Sequence, residues 1–520
     1  MPVARATNMS EGKPKGSPDV WLWGFAAASI GVSTLLLGDS EAPAEWTDQH
    51  RRQVEQMCST CHLFPPPDTL PRTRWSGVIE TMADVPDSKL TPSQLTLATA
   101  YYLRESPEKL DWVAPTPALS TRLSFAAESS TPLAFGADMR IPASANVSFA
   151  RLSGAPTPDL LLSEMRSRSL SMLRADLAAG ERQPVVIQRE INYPVHAAVV
   201  DMNGDARQDV VIASLGDMNP SNHQKGSVAL LIANTSGSFD HHVVLESVGR
   251  VADARAADFD ADGDLDLVVA AFGWRGPGTL MLLENQTTDW RQPRFRRREL
   301  DARDGWIHTE ITDLDGDDRP DFVALLSQEH EQVIAYLNRG GLSFEPRVLH
   351  RAPHPAWGYS GLQLVDMDND GDTDVLLSNG DALDDYELKP YHGIWWLENL
   401  GGLRFEPHHI AQLYGCERAV AVDMDNDGDM DVVAVAFLPH LSHSAWQQKD
   451  LDSIIWVERT ARGWTKHAIE KHLCHHPTVA VADYDADGKQ DIAVGNFVWL
   501  NMDGSPFSST AHAITLLMGK

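Results

Sequence analysis

From residue 194 onward, apolar residues fall into short runs that recur in a fixed order. Segments such as HAAVVD, ending at Asp201, and RAVAVD, ending at Asp423, alternate with the period of two that marks a half-buried strand. After a polar loop each is followed by a continuous apolar run, among them LVVAAF, FVALL, VLLSN, VVAVAF and IAVGNF, which reads as a fully buried strand. A third set (LLIAN, LLEN, IAYLN, WWLEN, IIWVER) and a fourth opened by Phe239, Phe295, Phe344, Phe405 or Trp464 complete each unit. The pattern predicts four strands per repeat.

The loops between the first and second strands are nonapeptides starting at Asp201, Asp258, Asp313, Asp366, Asp423 and Asp483, at intervals of 57, 55, 53, 57 and 60 residues. A period of that size means one supersecondary unit per repeat, and four-stranded units in radial array are propeller blades. A degenerate first unit, RLSGAPTPDLLL from Arg151, keeps only the ninth-position Asp159 and brings the count to seven. The last unit is short, so the segment around residues 120 to 148 is expected to lend a strand that closes the ring. The expected fold is therefore mainly β, a seven-bladed propeller of four-stranded blades over residues 131–520.

Each loop sets carboxylates at its first, third, fifth and ninth positions, the way to gather oxygens around a hard cation such as calcium. The candidate ligands are Asp201, Asn203, Asp205 and Asp209; Asp258, Asp260, Asp262 and Asp266; Asp313, Asp315, Asp317 and Asp321; Asp366, Asp368, Asp370 and Asp374; Asp423, Asp425, Asp427 and Asp431; Asp483, Asp485, Asp487 and Asp491. An EF-hand would need a bidentate Glu at position 12, where this chain has residues such as Val269, Leu377 and Ala434, so the loop belongs to a strand hairpin. With Asn203 at its third position, the loop at Asp201 is the weakest expected site.

The first hundred residues follow another pattern. Residues 20–38 carry no charge and follow a leader with Arg5, Lys13 and Lys15, as a retained anchor or a secretory signal would; Ala42-Pro43-Ala44 offers a cleavage site, and residues 1–44 form the leader. Either alternative places the bulk of the chain outside the cytoplasm, in a periplasmic or similar space. Residues 45–108 read as a small helical unit, with Leu95, Ala98, Tyr101 and Tyr102 recurring at helical spacing, and residues 109–130 as a linker and closing-strand region.

This unit contains CSTCH, in which Cys58 and Cys61 can bond the two vinyl groups of a c-type haem while His62 reaches the iron. A half zinc site would want a second ligand pair, and none follows before residue 110. Met82, the one methionine of the unit free to return to the iron, is the expected sixth ligand, with an open or histidine-ligated position as the alternative. The remaining cysteines, Cys416 and Cys474, precede successive loops at similar distances, which allows either a disulfide or two free thiols.

The formal net charge is −30, from 73 acidic and 43 basic residues, which argues against a nucleic-acid partner. Much of the acidity is local: 23 aspartates stand at the loop ligand positions, and six divalent ions would bring the total to −18. Residues just before each first strand and between second and third strands fall on the face opposite the loops. His308, Trp357, Arg418, His475 and His476 stand there as a candidate face for a small ligand or docked redox partner.

With its DxDxDG loops the chain resembles the FG-GAP/VCBS-repeat propellers, the fold also of integrin α-subunit heads, although the phenylalanine-glycine and glycine-alanine-proline signatures of that family are not clear. The CxxCH unit, the Trp75 to Met82 segment and the A-Y-Y helix ahead of the repeats are similar to bacterial fusions of cytochrome c with such repeats. The resemblance implies the fold and calcium more than an activity; with haem c read from the motif, electron transfer to or from a partner, rather than catalysis, is the expected role. A propeller oxidoreductase feeding substrate electrons to the haem, or an adhesion or carbohydrate-binding scaffold, are the alternatives.

Overall fold

The computed structural model describes residues 45–520 except 85–87, 89, 130–140, 178–183, 275, 384 and 501–511. The expected leader, its apolar segment 20–38 and the cleavage site lie outside these residues. No helix among the described residues is long and apolar enough to cross a membrane.

Seven sheets form seven blades. In the fourth, strands Trp306–Thr312, Asp321–Leu326, Gln332–Asn338 and Phe344–Arg351 pair antiparallel in sequence order. The first strands of successive blades touch one another around a complete circle, including the seventh (Thr478–Ala482) against the first (Ser144–Ala150). They are therefore the innermost strands. The second strands, such as Asp266–Ala271 and Asp431–Ala436, are buried along their whole length, as their unbroken apolar runs require.

In the seventh blade the fourth strand is Phe125–Ser129, paired antiparallel with Ile514–Gly519, so the ring is closed by a segment far away in sequence. Just ahead of it, Leu119–Ser120 adds a short parallel strand to the sixth blade. Cys416 and Cys474 are both buried in one apolar cluster as free thiols, without the disulfide their positions allowed.

Three helices precede the propeller: α1 (Asp48–Cys58), α2 (Arg72–Ala83) and α3 (Pro92–Glu105). Thr47 and Thr91 cap α1 and α3 with reciprocal side-chain bonds to His50 and Gln94. Val54, Leu70, Trp75, Ile79, Ala98, Tyr101 and Tyr102 form their core, with Trp75 stacked on Tyr102 at 3.8 Å. This small apolar core has its own boundary from the propeller clusters.

Closure by Phe125–Ser129 has a measurable consequence. Replacing Ala126 and Ala127 together with proline removes at least one ladder bond whichever residue faces the partner, and frees the edge of Ile514–Gly519. The variant is expected to melt several degrees lower and to self-associate in light scattering; unchanged melting would show that the ring holds without this strand.

Candidate functional site

The aspartate loops share one backbone design. Positions four and six are left-handed in all six, at φ of 59–74° and 63–96° respectively, which is why Gly, Asn, Asp or Ala occupies them. This path turns the amides of positions five and six onto the first carboxylate, as with Asp262 and Gly263 on Asp258 at 3.2 and 3.0 Å. The ninth carboxylate is buried and braces the blade. Asp321 accepts from Leu314 N at 3.0 Å and, across the sheet, from Asn338 N at 2.6 Å.

Five loops bring three carboxylate oxygens within 4.8 Å of one another, the separation at which one cation can touch all three. The loop at Asp201, with Asn203, does not form such a group among the described residues. The seventh residue divides the loops further. In those at Asp201, Asp313 and Asp483 it is basic, and Arg207, Arg319 and Lys489 pair with the fifth-position Asp205, Asp317 and Asp487. In those at Asp258, Asp366 and Asp423 it is acidic (Asp264, Asp372, Asp429).

Among the latter, Asp260 Oδ1 and Asp425 Oδ1 are buried with no hydrogen-bond partner among the described residues. Burial and then the neighbouring fifth-position carboxylate push Asp260, Asp368 and Asp425 above the usual carboxylate range. Crowded, partly orphaned carboxylates of this kind suit a hard divalent cation.

The opposite face holds a different chemistry. Five places before five of the six loops stand His196, Asp253, His308, Gly361 and Arg418, at equivalent positions of the innermost strands and each just after a bulge. Asp253 is the centre of this group: His196 Nδ1 lies 2.9 Å away, Arg255 Nε 3.2 Å and His308 Nδ1 3.8 Å, while Thr309 N donates to it at 2.9 Å. Burial would raise Asp253, but Arg255 and His196 hold it well below the usual range. Arg255 reaches on to Glu310 at 3.1 Å.

Gly361 is required here, since a Cβ on it would stand 2.5 Å from Ser378 Oγ and 3.2 Å from the Arg418 guanidinium, which donates to Leu362 O at 3.0 Å. His308 and Arg418, both singled out from the sequence, thus belong to one charged network. Its centre, Asp253, was missed, though its place in the VADARAAD run matches that of the two histidines.

The other three candidates are elsewhere and are not a free rim. Trp357 is 8% exposed, stacked on Tyr391 at 4.4 Å and edged by His354. His475 and His476 are 3% and 1% exposed; His476 Nε2 lies 2.8 Å from Glu470, and the His475 ring packs near Trp446. The single ligand face expected from loop polarity is therefore divided into a central network and two packed clusters. The loop histidines lie under neighbouring connections because the blades crowd there.

Sequence reasoning also missed a buried ionisable group beside Trp357. Glu331 accepts from Gly358 N and Tyr359 N at 3.2 and 3.0 Å, and Lys389 Nζ bridges Asp385 at 2.7 Å and Ala356 O at 2.9 Å.

In the helical unit Cys58 ends α1 and is half-buried, Cys61 is exposed, and both are free thiols. His62 Nδ1 lies 2.7 Å from Leu63 O; a carbonyl only accepts, so Nδ1 carries the proton and Nε2 keeps its lone pair. Phe64, Tyr101 and Tyr102 give the motif an aromatic wall. This donor set fits a thioether-bound haem. Met82, near the end of α2, is not among the apolar residues packed on this core.

The ninth-position carboxylates set a pH dependence. Burial, partly offset by the amides they accept, pushes Asp266, Asp431 and Asp491 up to about 6, and burial pushes Glu331 up to about 8. A folded pKa above the unfolded one stabilises fully only below the unfolded value, and that stability is lost as pH rises through the folded value. Without divalent cation, the melting temperature should fall from pH 4 to pH 8, most steeply between the ordinary carboxylate range and about 6; a rise over that range would contradict the burial argument.

Residues 183–269 and 300–377, which span the last strand of the first blade, all of the second and fourth blades, and the first strand and part of the second strand of the third and fifth, match a protein family described as FG-GAP-like repeat. Comparison with curated proteins finds no match. The chain is thus a seven-bladed β-propeller, two stretches of which, residues 183–269 and 300–377, match FG-GAP-like repeats.

Proposed function

We propose that the protein is an extracytoplasmic c-type cytochrome mounted on a calcium-stabilised propeller, exchanging electrons with a partner. The observation that carries this reading is the free Cys58–Cys61 pair followed by His62, whose Nδ1 lies 2.7 Å from Leu63 O, which leaves Nε2 as the nitrogen to ligate. Bound there, haem would supply a one-electron couple. The chain's part is to hold it: Cys58 and Cys61 as anchors, His62 as proximal ligand, and Phe64, Tyr101 and Tyr102 as an apolar wall that excludes water. In the propeller, the five carboxylate groups would each take a calcium ion and tie the first strand to the second.

A second reading, a propeller oxidoreductase, is favoured by the buried Glu331 and Lys389–Asp385 groups. They lie on the face where Arg74 of the helical unit comes within 3.6 Å of Glu387. Screening candidate substrates for reduction of the haem spectrum separates enzyme from carrier.

Two outcomes are expected from protein made in a host with haem-maturation machinery. The chromophore should resist extraction by acidified acetone and be lost in Cys58→Ala/Cys61→Ala; free extraction from the unmodified protein would sink the haem assignment.

Chelation should lower the melting temperature and added calcium restore it, as for a ligand bound only by the folded state. Asp260→Ala and Asp425→Ala should shrink that calcium-dependent gain more than Asn203→Ala does, because only the former remove a member of a three-carboxylate group. Equal effects at all three positions would show that the carboxylate groups are not the sites.

A further inference from the structure

Three neighbouring aspartate loops are joined by side chains that stand between their carboxylates. At position four the loops at Asp366 and Asp423 carry Asn369 and Asn426, where those at Asp201, Asp258, Asp313 and Asp483 carry Gly204, Ala261, Gly316 and Ala486, which have no side-chain donor. Asn369 Nδ2 donates to Gly428 O of the sixth blade's loop at 3.3 Å, and Asn426 Nδ2 to Gly488 O of the seventh blade's loop at 3.2 Å. A carbonyl only accepts, so each amide meets it through Nδ2.

Both ends of each link sit on backbone that carries candidate ligands. Asn369 lies between Asp368 and Asp370, and Asn426 between Asp425 and Asp427, the third and fifth positions of their loops. The accepting glycines are sixth in theirs: Gly428 N donates to Asp423 Oδ2 and Gly488 N to Asp483 Oδ2, each at 3.0 Å. A link therefore runs from the middle of one carboxylate set to the first carboxylate of the next. Each of the three loops brings three carboxylate oxygens within 4.8 Å of one another, and in the middle one Asp425 Oδ1 is buried with no hydrogen-bond partner among the described residues. Arg459, whose amide is fixed by Asp431, also donates to Met367 O and joins the bases of the fifth and sixth loops. The loops of the third and fourth blades are joined at the base too, by Asn338 Nδ2 on Phe259 O at 2.8 Å, but have no donor at position four.

We propose that the loops of the fifth, sixth and seventh blades take up their cations cooperatively, with Asn369 and Asn426 as the couplers. The proposal rests on the calcium reading above. Closing the third and fifth carboxylates on an ion fixes the asparagine between them, and the asparagine fixes the turn that presents the next loop's first carboxylate. Part of the ordering of the second loop is then already done, and the coupling acts equally in reverse. The coupled set ends in the seventh blade, where position four is Ala486 and where Phe125–Ser129 closes the ring. Arg122, just ahead of that strand, pairs with Asp425 and ties the closing segment to the middle loop. The seam and the blades leading up to it should therefore tighten together over a narrow range of free calcium.

The test uses the full chain, stripped of metal, with Asp260→Ala and Asp315→Ala introduced to remove the three-carboxylate groups of the third and fourth blades. Calorimetric titration with calcium should then show three ions bound with a Hill coefficient above 1. Adding Asn369→Gly and Asn426→Gly, which the left-handed turn accepts as it does at Gly204 and Gly316, should leave three ions bound. The Hill coefficient should drop to no more than 1, and the half-saturating calcium concentration should rise about 5-fold. Asn369→Asp with Asn426→Asp keeps the side-chain shape and removes the donor; it too should lose cooperativity, although its added charge favours cations, which separates lost coupling from a weakened loop. Three ions bound without cooperativity before the asparagines are changed, or cooperativity that survives both pairs of changes, would overturn the coupling alone. Failure of the unmodified chain to bind calcium would overturn the calcium reading and with it this one.

Discussion

The buried aspartate that ends each loop is the interaction on which the rest of the propeller depends. In six blades one carboxylate accepts the amide of the loop's second residue with one oxygen and an amide at the end of the third strand with the other: Ala233, Asn285, Asn338, Asn399, Arg459 and Gly519 for Asp209, Asp266, Asp321, Asp374, Asp431 and Asp491. A single side chain thus fixes the loop, the turn into the second strand and the register of the third. In the first blade, which has lost the other carboxylates, Asp159 still accepts from Leu152 N and Ser153 N. That survival separates the structural duty of the ninth position from the cation-holding geometry of the first, third and fifth. Buried unpaired, such a carboxylate would cost several kcal/mol; satisfied by two amides, it is an anchor.

The two faces then diverge for a physical reason. On the loop face each blade carries its own carboxylates, and charge is balanced blade by blade, by a basic seventh residue in half of the loops. On the other face the inner strands converge, so that side chains from different blades share one network around Asp253. A lone charge there is tolerable only because Arg255, His196 and Thr309 N surround it. Gly361 shows the cost of convergence: one blade gives up its side chain so that Arg418 of the next can lie across it.

The segment before the first blade performs three tasks in about twenty residues. It straps the helical unit down through Trp112 and Thr116, extends the sixth blade at Leu119–Ser120, and completes the seventh at Phe125–Ser129. Between the last two, Arg122 pairs with Asp425 of a loop and with Glu458, and lies over Trp456 at 5.4 Å. Closure of the ring, the aspartate loop of the sixth blade and attachment of the helices are therefore mechanically one piece.

Local chemistry was legible in the chain itself. Strand periods, loop residues that tolerate left-handed backbone, the 53–60-residue repeat and the CxxCH spacing are properties of neighbours in sequence, so the blades, their number, the loop carboxylates and the helical motif could be read directly. Asp253 was legible in principle, because its place before the loop repeats that of His196 and His308. What could not be read was which residues meet across blades. His475, His476 and Trp357 look like loop residues of an open face, yet they are buried. Those outcomes depend on the curvature of a closed ring and on where a strapped helical unit comes to rest, and such distances between remote segments are set only when the whole chain packs.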